Sequence, residues 1–404
     1  MSVLVSILGL GFLILIHEAG HFFVARAVGM NPRKFYLGFP PALVKTKRGG
    51  IEYGVGAIPL GGYVKIPGMH RPAAGDLDLH FGRGIEEDAT LRRPIDELRR
   101  LLAEGDYAGA RQALDRVRET LDESRLSPVA FKSAERGLNE IDDALAPDAY
   151  WRAKTWKRVA VIFAGPGANL LLAVVLFAAL FMAVSGDYRF GFALRANDTA
   201  VTATVDEVLA GTPAESVGMR AGDRIVAING RPVSPDDVAP TIRASGGRPL
   251  RLTVERDGRT VDLPPAAAEK PQRYGAGKST WEAVRVTGIV TKQIGASIGR
   301  LVTGDGRDEI SSPVGIVQGS SQAVEQGTDA YLWVLGLISL SLALLNLLPL
   351  LPLDGGHIAF SLVEGIRGKA VAREVYERVS VVGIAIVLLL FFIGLSNDIG
   401  RLGS

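Results

Sequence analysis

The chain of 404 residues has no cysteine, only five histidines, and no excess of charge of either sign: 45 Lys and Arg stand against 43 Asp and Glu, for a net +2. Each shortage excludes something. Without thiols there is no disulfide and no thiolate metal ligand, so a zinc ion here must be held by His, Asp or Glu. A near-neutral balance offers no basic surface of the kind nucleic acid selects, and nucleic acid is not an expected partner. What the chain has instead is apolar length. Hydrophobic residues make up 48%, gathered into runs long enough to cross a bilayer.

Four runs qualify as spans: Ser2–Val24, Val159–Val184, Tyr331–Leu353 and Val379–Leu395. The first has neither a basic leader nor a small-residue cleavage site, so it is expected to stay as a membrane span. Arg26, Arg33, Lys34, Lys45, Lys47 and Arg48 follow it; Lys154, Lys157 and Arg158 precede the second; Arg367, Lys369, Arg373 and Arg378 separate the third from the fourth. With four spans these clusters share one side, which the positive-inside rule makes cytoplasmic. Residues 185–330 and both termini of this multi-pass protein are then expected outside.

Inside the first run sits His17-Glu18-Ala19-Gly20-His21. Ionisable groups at membrane depth are costly and mark function. At i and i+4 the two imidazoles share one helical face, with a carboxylate beside the first. That spacing offers two zinc ligands, His17 and His21, and a general base, Glu18, for hydrolysis. A site that binds water as well as metal wants three protein ligands and an open fourth position. Asp354, at the end of the third run, completes the count, with His357 as its competitor.

Between the spans lie three further pieces. Ile51–Ile66 reads as a short membrane-associated hairpin, with alternating Tyr53 and Val55 and a Gly61-Gly62 pair; near the site it would offer an edge strand to an extended peptide. Residues 85–146 carry 15 acidic and 10 basic side chains and three apolar stripes at helical spacing, expected to form a cytoplasmic helical module without chemistry of its own. In the outward segment, Arg224–Ile228 ends in an Asn229-Gly230 turn and Asp257-Gly258 marks another. The segment GTPAESVGMRAGDRIVAINGRPV resembles a bacterial PDZ domain, a module that captures peptides by strand addition. Ser279–Val302 follows as an amphipathic helix.

Taken together, HEAGH, the hairpin ending GGYVKI, FAGPGANLLLA at Phe163–Ala173, the PDZ-like segment and NLLPLLPLDGGH at Asn346–His357 resemble the site-two protease family of intramembrane zinc metalloproteases, in its bacterial form with a single PDZ domain. The resemblance implies one zinc per chain on His17, His21 and Asp354, with Glu18 as catalytic base. It also implies that Asn169 and Asn346, with Tyr53, Val55, Gly61 and Gly62 of the hairpin, hold the substrate backbone. The implied partners are the lipid bilayer and single-span membrane proteins such as anti-sigma factors; no oligomeric state is implied. One departure is local: the second proline of the family's Leu-Pro-Ile-Pro-x-Leu-Asp-Gly pattern falls one place later here, at Pro352.

The expected fold is thus a polytopic α-helical membrane protein with about four spans, a membrane-associated β-hairpin, one extracytoplasmic PDZ domain and a cytoplasmic helical insert. In residues these are 1–30, first span; 50–68, hairpin; 85–146, insert; 156–185, second span; 198–265, PDZ domain; 279–303, amphipathic helix; 331–358, third span; and 378–396, fourth span. The rival reading is a membrane-anchored PDZ scaffold or chaperone with a vestigial metal site; absence of any one of the four polar residues would favour it, and all four are present. A zinc transporter is a weaker rival, since a single metal site is visible.

Overall fold

In the computed structural model, which describes residues 1–183, 189–197, 200–269, 274–303, 306–307 and 310–402, four helical stretches are long and apolar enough to cross a membrane: Ser2–Ala27, Thr155–Ala183, Thr328–Asn346 and Glu374–Gly400. Large apolar side chains on the first and last of them face outward, Leu8, Phe23, Leu389 and Phe392 among them. Such surfaces suit lipid, where only the backbone must be satisfied internally. The last two positions of the expected second span and the first two of the expected PDZ domain lie outside the described residues.

The chain divides into two compact units, Met1–Val174 with Thr287–Ser404, and Val175–Val286. The first unit opens with α1 (Ser2–Ala27), then β1 (Lys34–Arg48) and β2 (Ile51–Lys65). The expected hairpin proves larger. Residues 34–37 lie between two rows, pairing with 52–55 on one side and 62–65 on the other, while 42–48 pair back onto 51–56. The two long strands therefore make four rows. Residues 62–65 form one outer row, and Tyr53 and Val55 lie in a row paired on both sides. The basic residues after α1 conceal this in the sequence, because they read as a membrane flank although most stand in β1.

The insert holds α2 (Ala74–Glu87), α3 (Arg92–Glu104), α4 (Tyr107–Thr120) and α5 (Pro128–Leu145). Leu77, Phe81, Ile95, Leu98, Leu114 and Ile141 are fully or almost fully buried in a core of its own. It begins eleven residues earlier than the expected 85, because α2 carries an apolar face of its own. Caps set its boundaries: Asp106 accepts from the Gly109 amide, and Ser127 from the Ala130 amide ahead of Pro128 at the first turn. Nor does it hang loose. Arg33 bonds Asp143 at 2.9 Å and Asp148 at 3.0 Å, Lys65 reaches Asp143 at 2.5 Å, and the Tyr150 and Trp151 amides donate to the Pro67 and Gly68 carbonyls. These ties join the end of α5 and the segment after it to Arg33, just ahead of β1, and to the end of the outer strand row. Burial works against the Asp148 carboxylate, but the Arg33 guanidinium more than offsets it and holds the pKa below the ordinary range.

Next come α6 (Thr155–Ala183), with Pro166 inside it, and then the second unit. Its β3 (Phe192–Asn197), β4 (Ala200–Val208), β5 (Arg224–Ile228), β8 (Leu252–Arg256) and β9 (Arg259–Asp262) form one sheet in the order β3-β4-β5-β8-β9. The short β6 (Arg231–Pro232) pairs with β5, and β7 (Pro249–Leu250) with β10 (Ala266–Ala267). The helices α7 (Pro213–Ser216) and α8 (Pro235–Ala244) cover its core of Val205, Ile225, Val238 and Val254. Asn229 and Asp257 take φ of 53° and 52° ahead of Gly230 and Gly258, as two-residue hairpin turns require. Asp223 is 1% exposed and accepts from Arg256 Nε and Nη2, each at 2.7 Å. An open groove follows β3 between Phe192, Leu194, Val238 and Ile242.

The remaining helices are α9 (Ala276–Thr303), α10 (Pro313–Gln326), α11 (Thr328–Asn346), α12 (Asp354–Arg367) and α13 (Arg373–Leu402). The expectation of one span over 331–358 is corrected here. The helix stops at Asn346, and Asp354 opens the next one, because Pro349 and Pro352 bring no N–H to continue a helical ladder. α13 is also longer than the expected fourth span of 378–396, and α10 was not anticipated.

Candidate metal centre

Two elements far apart in sequence meet at one point. α1 supplies His17 and His21 one turn apart, and the first residue of α12 supplies Asp354. His17 Nε2 lies 3.1 Å and His21 Nε2 3.3 Å from Asp354 Oδ2, and the two Nε2 atoms are 3.3 Å apart. Among the described residues this is the one cluster of His, Asp and Glu with metal-holding spacing. The triangle fits zinc: bonds of ~2.0–2.1 Å at tetrahedral angles leave donor atoms about 3.3 Å apart. Asp354 Oδ2 is buried without a well-formed hydrogen bond, which a cation would remedy. Three protein donors leave a fourth position for water.

Glycines make the approach possible. A Cβ on Gly20 would strike the Ala164 carbonyl of α6, one on Gly165 the His21 ring, one on Gly62 the Glu18 side chain, and one on Gly355 the Leu347 and Leu348 carbonyls. So α1, α6, the outer strand row and the start of α12 close on the cluster at backbone distance. Glu18 lies one residue from His17, against Gly62 and the Val64 backbone amide, and interacts with both imidazoles and Asp354.

α6 orients the ring of His21, whose Nδ1 donates to the Val161 carbonyl at 2.8 Å. This fixes the tautomer that presents a bare Nε2. Pro166 has no N–H, so the Ile162 carbonyl four residues before it goes without its helical donor. Asn169, fully buried, meets His17 Nδ1 at 3.5 Å.

The other residues named from the sequence are placed as follows. Asn346, half-buried at the end of α11, donates to the Leu342 carbonyl at 3.0 Å. Gly61 and Gly62 lie at the outer strand row, whereas the backbone of Tyr53 and Val55 pairs on both sides. Tyr53 packs its ring with Phe22 and Phe35 at 6.1 and 6.2 Å. His357 stands one turn beyond Asp354, but its Nδ1 hydrogen-bonds the Tyr376 hydroxyl at 2.5 Å, outside the cluster. Sequence reading missed the outer-row position of Val64 beside Glu18; the Gly61-Gly62 pair just before it was the available signal.

A model of peptidase family M50 matches residues 5–390. A protein of Agrobacterium fabrum that bears a provisional zinc-metalloprotease name is 30% identical, over 98% of this chain and 95% of its own. The regulator of sigma-E protease RseP of Salmonella typhimurium is 28% identical, over 98% of each chain. Zinc metalloprotease Rip1 of Mycobacterium tuberculosis is 31% identical, over 87% of this chain and 83% of its own.

Proposed function

This chain belongs to peptidase family M50 and is a zinc metalloendopeptidase of the inner membrane, and on that premise we propose that it cuts single-span regulatory membrane proteins within or beside their spans. The observation that carries the reading is the triangle of His17, His21 and Asp354, built by two apolar-flanked helices with Glu18 against it. In this reading those three residues hold the zinc. When bound, zinc lowers the pKa of its water toward ~7 and polarises the scissile carbonyl. Glu18 accepts the water's proton and delivers it to the leaving amine.

A helical amide is hydrogen-bonded and shielded, so the substrate must unwind. Residues 62–65, an outer strand row beside Glu18, suit the role of pairing with the unwound segment, and Asn346 that of steadying its backbone. By the positive-inside rule the site opens toward the cytoplasm, and the second unit, read as a PDZ domain, lies outside as a filter for substrates already trimmed there. Anti-sigma factors fit this class, and RseP carries sigma-E regulation in its name. The test is reconstitution with a single-span substrate and mass spectrometry of the products. A cut within or next to the span, lost on chelation, is expected; cleavage confined to soluble segments overturns the reading. Removing the second unit is expected to admit untrimmed substrates, and a variant that still refuses them refutes the filter.

A further inference from the structure

If both imidazoles face a metal through Nε2, each must carry its hydrogen on Nδ1 and needs an acceptor there. His21 has one in the Val161 carbonyl. For His17 the neighbour is the Asn169 side chain, whose Nδ2 lies 3.5 Å from Nδ1. That arrangement sets nitrogen against nitrogen and leaves Asn169 Oδ1 buried with no hydrogen-bond partner. The residue is 0% exposed, and its main-chain carbonyl accepts from Ser339 Oγ at 2.8 Å, which pins α6 at this turn. A half-turn of the amide exchanges donor and acceptor at nearly the same positions. It gives the orphaned oxygen a partner and His17 its acceptor.

We infer that Asn169 is a positioning residue for the metal ligand His17, its side-chain oxygen accepting the Nδ1 hydrogen and so holding Nε2 bare toward the metal. The inference rests on the zinc reading above and assigns Asn169 to the ligand rather than to the substrate. It also explains the residue type. With Nε2–H turned to Asp354, Asn169 donates through Nδ2 to a bare Nδ1; with Nε2 on the metal it accepts through Oδ1. An amide serves both tautomers, whereas a carboxylate serves only the second. Both ligand histidines are then oriented from one helix, α6, by Val161 and Asn169.

The test is zinc affinity of the purified full chain, read by competition with a chelating dye, with substrate cleavage measured alongside. Asn169→Leu removes the acceptor and is expected to weaken zinc binding by ~10–100-fold. Asn169→Asp keeps an acceptor and is expected to bind zinc like the wild type, although it has lost the amide donor that a substrate-holding role needs. Wild-type affinity in Asn169→Leu overturns the inference. If the wild type itself bound no zinc, the site reading beneath it would fall, and this inference with it. A measurement without substitution guards against misfolding: in zinc-loaded protein with 15N-labelled histidine, His17 should show a protonated Nδ1 and a metal-bound Nε2. Metal bound through Nδ1 of His17 overturns the assignment.

Discussion

Replacing Gly165 by alanine puts a methyl group where the His21 ring now stands. The new Cβ would collide with Nε2 and lie 2.6 Å from Cε1 and 2.8 Å from Cδ2. Carbon contacts are comfortable at ~3.5–4.0 Å, so the ring must withdraw by about 1 Å. A metal–ligand bond tolerates only about 0.2 Å. Withdrawal also strains the bond from Nδ1 to the Val161 carbonyl, worth about 1 kcal/mol. The backbone gains rather than loses, since alanine favours a helix over glycine by about 1 kcal/mol. Any deficit is therefore steric and local. Zinc affinity is expected to fall beyond the ~100-fold typical of losing an outer partner, with cleavage lost in parallel. Gly167→Ala is the control two residues away: its Cβ meets the Phe163 ring at 3.1 Å, and that side chain is 45% exposed and free to swing. It should bind zinc as the wild type does. Chelator competition on the detergent-purified proteins reads both. Wild-type affinity in Gly165→Ala would refute the geometry of the cluster.

Gly62→Ala should spare zinc but displace Glu18, and a misplacement near 1 Å costs ~10²-fold in rate; unchanged turnover would separate the outer strand row from the base. Asp143→Ala breaks the tie to Arg33 and Lys65, both partly solvated, at a cost of about 1 kcal/mol. Amide exchange over residues 61–66 should quicken, and an unaltered rate would mean the insert does not brace that strand. In the second unit, burial raises the pKa of Asp223, but the Arg256 guanidinium and the Arg220 amide outweigh it and hold the carboxyl low. A depressed pKa adds stability above the unfolded value of ~3.9 and loses it as pH falls through the folded one. Resistance of this unit to an acid-tolerant protease should therefore drop below pH ~4. Asp223→Asn should be weaker by about 3 kcal/mol at pH 7 and flatter with pH; a variant as resistant as the wild type would contradict the pairing.

The metal cluster was legible where its logic is local. Two histidines at i and i+4 inside an apolar helix state their face and their cost without any partner in view. Asp354 was reached by counting the protein ligands a hydrolytic zinc needs, because nothing in its own neighbourhood points to α1. The break after Asn346 was half visible: Pro349 and Pro352 were noted, but an apolar run continues through Leu353 and hides a chain that leaves the helix. The four-row sheet was not legible, since the pairing of 34–37 with 62–65 is long-range and the basic residues of β1 mimic a membrane flank. The partners of His357 and Asn169 depend on how α13 and α6 rotate about their axes, which a span apolar on every side does not record.

The proposed reaction is hydrolysis of a peptide bond, with zinc held by His17, His21 and Asp354 and the proton carried by Glu18. The most direct test measures zinc content and cleavage of a membrane-embedded substrate in the same samples of wild type and Glu18→Gln. One zinc per chain is expected in both, with cleavage falling by ~10²–10⁴-fold in the variant. Turnover near the wild-type rate in Glu18→Gln, or undiminished cleavage by wild type stripped of zinc, would contradict it.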